Sequence, residues 1–182
     1  MHPAVAELRR LVPPPAHPDG ADGDWTACER ELQLRLPEDY KEFISAYGSG
    51  TLCRSLEILS PFDSPQRWRT TVRGWWENWA RIYDCWGDFP RALPYPRYPA
   101  VPGLLPWGTY CDANVWSWYP AGEPHEWRLV YDERHQEFIE VPGLGFAEFL
   151  VAALKGTVPL PEWVFGKHVQ SLPQVYEPFR PG

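Results

Sequence analysis

Five histidines, four scattered cysteines and 24 carboxylates are the side chains of this sequence suited to chemistry. A metal or a catalytic dyad needs them at set spacings, such as two histidines four apart on a helix. No HExxH or repeated ligand spacing occurs, and His125 and His135 flank one predicted strand, which puts them at its opposite ends. Ser49 lies in YGSGT, without the strand–turn–helix setting of a nucleophile elbow. Asp112-Ala113-Asn114 offers two oxygen ligands, far short of a calcium loop, and no glycine-rich phosphate loop is present. The sequence therefore assigns no catalytic residue, no metal and no cofactor. What it does concentrate is charge: Asp112, Glu123, Glu126, Asp132, Glu133, Glu137 and Glu140 fall at predicted strand ends and turns, where side chains are expected to be exposed. Exposed acids add little to stability, so this run serves either solubility or a basic partner. These seven are the candidate partner-binding residues.

The elements that would carry them are legible from periodicity. Residues 4–12 read as a short amphipathic helix ended by Pro13, Pro14 and Pro15, and 16–23 as a polar linker. Asp24 is a suitable cap for a helix bearing Trp25, Cys28 and Leu32. In LPEDYKEFISAYGSG, Pro37 suits a first helical position and Glu38 and Asp39 favour the positive end of the dipole. Tyr40, Phe43, Ile44 and Tyr47 form one apolar stripe, and Gly48 is placed to end the helix in a left-handed conformation. TLCRSLEIL (51–59) has strand character. Trp68, Val72, Trp75, Trp79, Ile82 and Trp86 then recur in steps of four and three, which predicts a long helix within a tryptophan- and proline-rich stretch, 62–103. Its Arg67, Arg69, Arg73 and Arg81 could pair with phosphates beside stacked bases, but the periodicity turns the tryptophans inward and leaves the arginines solvated.

Four short strands follow, at 104–108, 114–120, 127–133 and 137–141, joined by short polar links that imply antiparallel pairing. Trp127, Leu129 and Tyr131 alternate with Arg128 and Asp132, as a sheet covered on one face requires. A helix at 145–156 completes the series. The expected fold is α+β: an antiparallel sheet of about four to six short strands with helices packed against it. Residues 1–23 are expected as a leader, 24–156 as a single domain and 157–182 as a tail packed on it through Trp163, Phe165 and Phe179.

The net charge of −7 is uneven: −5 over residues 1–63, +3 over 64–103, −6 over 104–163 and +1 thereafter. Such a surface repels nucleic acid on most approaches and attracts a basic partner. No apolar run reaches the length of a membrane span, and the N-terminus lacks the apolar core of a signal peptide. Cys28, Cys53, Cys85 and Cys111 form no CxxC pair and read as buried free thiols, which points to a reducing, cytoplasmic setting.

Several pieces in order resemble the SUKH superfamily, the SMI1/KNR4 family, and its actinobacterial members in particular. They are Trp25 and Glu29; Leu36 to Phe43; Tyr47-Gly48-Ser49-Gly50; Ile58 and Pro61; Gly103 to Gly108; Trp116 or Trp118; Pro124 and Trp127; and Phe146 to Leu150 ending at Gly156. The resemblance implies a non-catalytic protein-binding domain, an immunity protein of a polymorphic toxin system that neutralises a cognate toxin, often a nuclease. With the acidic balance, the expected toxin is basic and no nucleic acid is bound; with no long apolar run, no membrane is expected, and the chain is expected as a monomer or weak homodimer. The alternatives are a general regulatory or scaffold module of the same type, and an unrecognised hydrolase.

Overall fold

The computed structural model describes residues 1–62, 94–96, 98–110, 114–133, 137–158, 160 and 167–179. The predicted tryptophan helix at 68–86, together with Cys85, Cys111, Asp112, His135, Trp163 and Phe165, lies outside the described residues.

Helix α1 (Pro3–Leu11) has proline at its first position and buries Val5 and Leu8, with Val12 beyond them. Helix α2 (Trp25–Leu32) starts as expected: Asp24 Oδ1 accepts the amide of Ala27 at 3.0 Å. Helix α3 (Glu38–Tyr47) buries Tyr40, Phe43, Ile44 and Tyr47, the stripe its spacing predicts. Pro37 sits one position earlier than expected, as the cap, with ψ 135°. Gly48 ends the helix at φ 65° and ψ −156°. This is not the left-handed helical geometry expected but an extended positive-φ one open only to glycine. A Cβ there would lie 2.1 Å from the carbonyl oxygen of Asp19, and the amide of Ser49 donates to that same oxygen at 2.7 Å. The 16–23 linker is thus stitched to the end of α3. Helix α4 (Phe146–Lys155) ends on a left-handed Gly156, and a short α5 (Lys167–Ser171) follows.

The sheet has seven strands among the described residues, in the order β6-β5-β4-β3-β2-β1-β7, and every neighbouring pair is antiparallel. They are β1 (Gly50–Leu52), β2 (Leu56–Ile58), β3 (Leu105–Tyr110), β4 (Asn114–Tyr119), β5 (Arg128–Glu133), β6 (Glu137–Val141) and β7 (Tyr176–Pro178). The α+β class stands, with more strands than the expected four to six, for two reasons. The single strand expected at 51–59 is a hairpin, turned at Cys53 and Arg54 with φ 52° and 56°. Neither residue is a usual choice for a left-handed turn, so the sequence carries no turn signal there. The second reason is the tail, which contributes an edge strand.

Helices α3 and α4 cover one face. Trp107, Trp116 and Trp118 meet Phe146, Phe149 and Tyr40 there, at ring separations of 4.9, 4.4 and 4.7 Å. Gly108 lets β3 lie close to β2, since a Cβ would fall 2.4 Å from the carbonyl oxygen of Glu57. Helix α1 and β7 share the same core through Val5, Leu8, Val12 and Tyr176, and the Tyr47 hydroxyl donates to the Val12 carbonyl at 2.7 Å. Strand β5 departs from the expected alternation: Leu129, Val130, Tyr131 and Asp132 are all buried. Val115, Ser117, Val130 and Asp132 point away from the helices and are buried too, so the middle of the sheet is covered on both faces. Among the described residues, no helix is long and apolar enough to cross a membrane.

Candidate functional site

Three elements begin at one place. The N-termini of α3 and α4 and a 3-10 turn at Pro124–Glu126 surround a cleft of about 500 Å3. Acids gather where helices begin, because they satisfy first-turn amides and favour the dipole. The convergence therefore collects five carboxylates, Glu38, Asp39, Glu123, Glu126 and Glu148, against Arg35 and Arg128. Trp118, Trp127 and Phe146, all buried, supply apolar surface.

The carboxylates are not equivalent. Asp39 is 7% exposed and divides its oxygens between two helices. Oδ1 accepts the amide of Tyr40 in α3, and Oδ2 accepts the amide of Ala147 in α4, both at 2.8 Å. The cap of α4 is Gly145, which has no side chain to offer, so Asp39 does that work from another element. Burial raises the Asp39 pKa above the ordinary carboxylate value, and the two amides pull against it. Glu126 and Glu148 each accept one amide through Oε2, from Glu123 at 2.9 Å and from Gly145 at 3.0 Å. This is the capping-box spacing, and it engages one oxygen of each. Glu38 pairs with Lys41 at 2.6 Å.

Of the seven acids expected to form one exposed face, the six described are placed apart. Glu123 and Glu126 are exposed at the cleft. Glu133 and Glu137 face each other across the far end of the β5–β6 hairpin, separated from Glu126 by roughly 20 Å of strand. Glu140 lies on the opposite side of the sheet, where Arg128 holds it at 2.6 Å and the Tyr95 hydroxyl donates to it. Burial, and then that bond, push the Tyr95 pKa up to about 12. Asp132 is 1% exposed, which corrects its expected position on the surface. The period of two in a strand divides such a run between faces, and length divides it between ends. Asp112 lies outside the described residues. Glu38, Glu148, Arg35 and His2 at the cleft are absent from the sequence-derived set. The signal for two of them was present: Glu148 stands three residues after Gly145, and Glu38 directly follows the helix-opening Pro37.

Ser49 is fully buried and its Oγ accepts the amide of Ser60 at 2.7 Å, a structural task. Among the described residues, no group of three or more His, Cys, Asp or Glu side chains could hold a metal ion.

The model of the SMI1 / KNR4 family (SUKH-1) matches residues 21–150. The chain belongs to this family. No curated protein and no solved structure gives a significant match. The SMI1/KNR4 match spans the cleft on every side except that of His2, and its LPEDY stretch supplies both the shared cap, Asp39, and the aromatic centre, Tyr40. Helix α1 and strand β7 fall outside the matched span yet close the same core.

Proposed function

We propose that this chain is a non-catalytic, cytoplasmic immunity protein that binds and neutralises a basic toxin protein. The observation that carries the reading is its membership of the SMI1/KNR4 family over residues 21–150. The charge supports it: a chain of net −7 attracts a basic protein and speeds the encounter. Of the acids proposed to meet that partner, Glu123 and Glu126 have the strongest claim, because both are exposed beside apolar surface. Glu133 and Glu137 form a second acidic spot at the far end of the hairpin.

The first test is whether a toxin is encoded beside its gene, and the second is co-expression of this chain with that toxin's domain. Restored growth and a complex that co-elutes on size exclusion are expected, with an association rate that falls as salt rises. Growth arrest that persists with both proteins made, and no complex, overturns the reading.

A further inference from the structure

The cleft has unfilled hydrogen-bonding capacity on both its polar and apolar sides. Glu126 and Glu148 each spend only one oxygen on a backbone amide. Glu123 uses its backbone amide and carbonyl within the turn, and its exposed carboxylate lines the same space. Among the described residues, two that line the cleft also carry a buried nitrogen without a partner: Trp118, 3% exposed, at Nε1–H, and His2 at Nδ1. A buried indole N–H or imidazole nitrogen left alone is costly, and native structures rarely keep one without a use.

The positive groups present do not meet this demand. Arg128 is committed to Glu140 at 2.6 Å and lies over the Tyr119 ring at 4.7 Å. Lys41 is held between Glu29 and Glu38, at 2.9 and 2.6 Å. Asp39 is enclosed by its two amides, which leaves Glu123, Glu126 and Glu148 to face an incoming cation; among the described residues, Arg35 and the imidazoles of His2 and His125 share the lining with them.

We infer that the cleft receives an arginine side chain from an exposed loop of a basic protein partner. The guanidinium donates to Glu123, Glu126 and Glu148, whose planar carboxylates match its fork, and one of its N–H groups supplies His2 Nδ1. The apolar stem lies against Trp127 and Phe146, and the carbonyl of the inserted loop accepts from Trp118. Lysine, a point charge with no fork, fits this arrangement less well. The inference rests on the protein-binding reading and names the place where that binding is anchored.

The probe is acetyl-Gly-Arg-Gly-amide, titrated into the intact protein at millimolar concentration, where a single anchor residue is expected to bind. The readout is the Trp118 indole N–H resonance, assigned through bonds. The controls are the same tripeptide with citrulline, which is isosteric and neutral, and with lysine. The expected result is a saturable shift with arginine, a weaker one with lysine and none with citrulline. The triple variant Glu123→Gln, Glu126→Gln, Glu148→Gln is expected to weaken arginine binding at least about tenfold. It keeps the fold because glutamine serves the capping box as glutamate does. Equal or absent shifts with the arginine and citrulline peptides overturn the inference, as does an unaltered response in the triple variant. A toxin that binds the wild type and the triple variant equally overturns the cleft alone. A chain that takes the arginine peptide but no toxin retains the cleft and loses the immunity reading.

Discussion

Replacing Asp39 with alanine removes one side chain and uncaps two helices. The Ala147 amide at the start of α4 and the Tyr40 amide of α3 both lose their acceptor. A hydrogen bond to a charged group contributes about 1.5–3 kcal/mol, and a buried donor left without a partner costs about 1–3 kcal/mol. Two offsets reduce the sum. The buried carboxylate no longer bears its desolvation, and the cleft beside it admits water to the freed amides. The expected net loss is about 2–3 kcal/mol, equivalent to a fall in Tm of roughly 4–12 °C for a chain of this size. Urea unfolding followed by circular dichroism measures it as a lower midpoint at unchanged slope. Asp39→Asn keeps one acceptor oxygen and turns an N–H toward the other amide, so its loss is expected to be intermediate. Glu38→Ala, one residue away and exposed, is expected to stay within about 0.5 kcal/mol of the wild type. An Asp39→Ala protein as stable as Glu38→Ala would refute the shared cap.

The same residue gives a pH signature. The folded pKa of Asp39 is raised by burial, so between the unfolded value near ~3.9 and that raised value the native state holds the extra proton. Stability from this group is therefore present at low pH, falls as pH rises through the window and is level above it. Asp39→Asn is expected to lack that component, so the stability difference between the two proteins changes across the window and nowhere else.

Phe43→Ala, at a side chain 1% exposed, is expected to cost about 3–5 kcal/mol, read from the urea midpoint; an unchanged midpoint would remove Phe43 from the core. Asp132→Lys is expected to destabilise the fold severely, because it buries an ammonium at a position 1% exposed, whereas Glu137→Lys is expected to gain about 0.2–1 kcal/mol by relieving the like charge of Glu133 opposite it. Equal thermal stability of the two variants would show that the hairpin register or the burial is misassigned. The Cys28 thiol, pushed up to about 12 by burial and then by Glu29 and Glu31, is expected to resist alkylation in the native protein at neutral pH, while denatured, freshly purified protein yields four free thiols. Two missing thiols would place the chain in an oxidising setting.

Local rules made most elements readable. Asp24 caps α2, the 40–43–44–47 stripe is buried, and Gly156 ends α4 in the left-handed conformation, because each depends on neighbours in sequence. The sheet was less legible. The β1–β2 turn is made by Cys53 and Arg54, held in place when the Cys53 amide donates to Val175 at 2.9 Å, a partner far along the chain. Asp39 is the sharpest case. In sequence it is a first-turn acid that favours its own helix dipole, and that account is sufficient where it stands. In the fold it also caps a helix that begins over a hundred residues later, because Gly145 leaves α4 without a side-chain acceptor.

The cleft follows from the same cause. Each of its acids has a local role, as a first-turn or capping-box residue of one of three elements. Nothing in any one segment says that three such starts will meet. Once α3 and α4 pack side by side on the tryptophan face, and the turn after β4 reaches them, acids that each suit their own terminus stand around one space. The run of acids from 112 to 140 is dense in sequence, but the strands separate its described members and leave Glu123 and Glu126 at the cleft. Glu38, Asp39 and Glu148, distant from them in sequence, are brought to the same place by topology. A charged surface on a small α+β domain is therefore better sought at shared helix starts than along acidic runs. In this chain that leads to Glu123, Glu126 and Glu148 ahead of Glu133, Glu137 and Glu140.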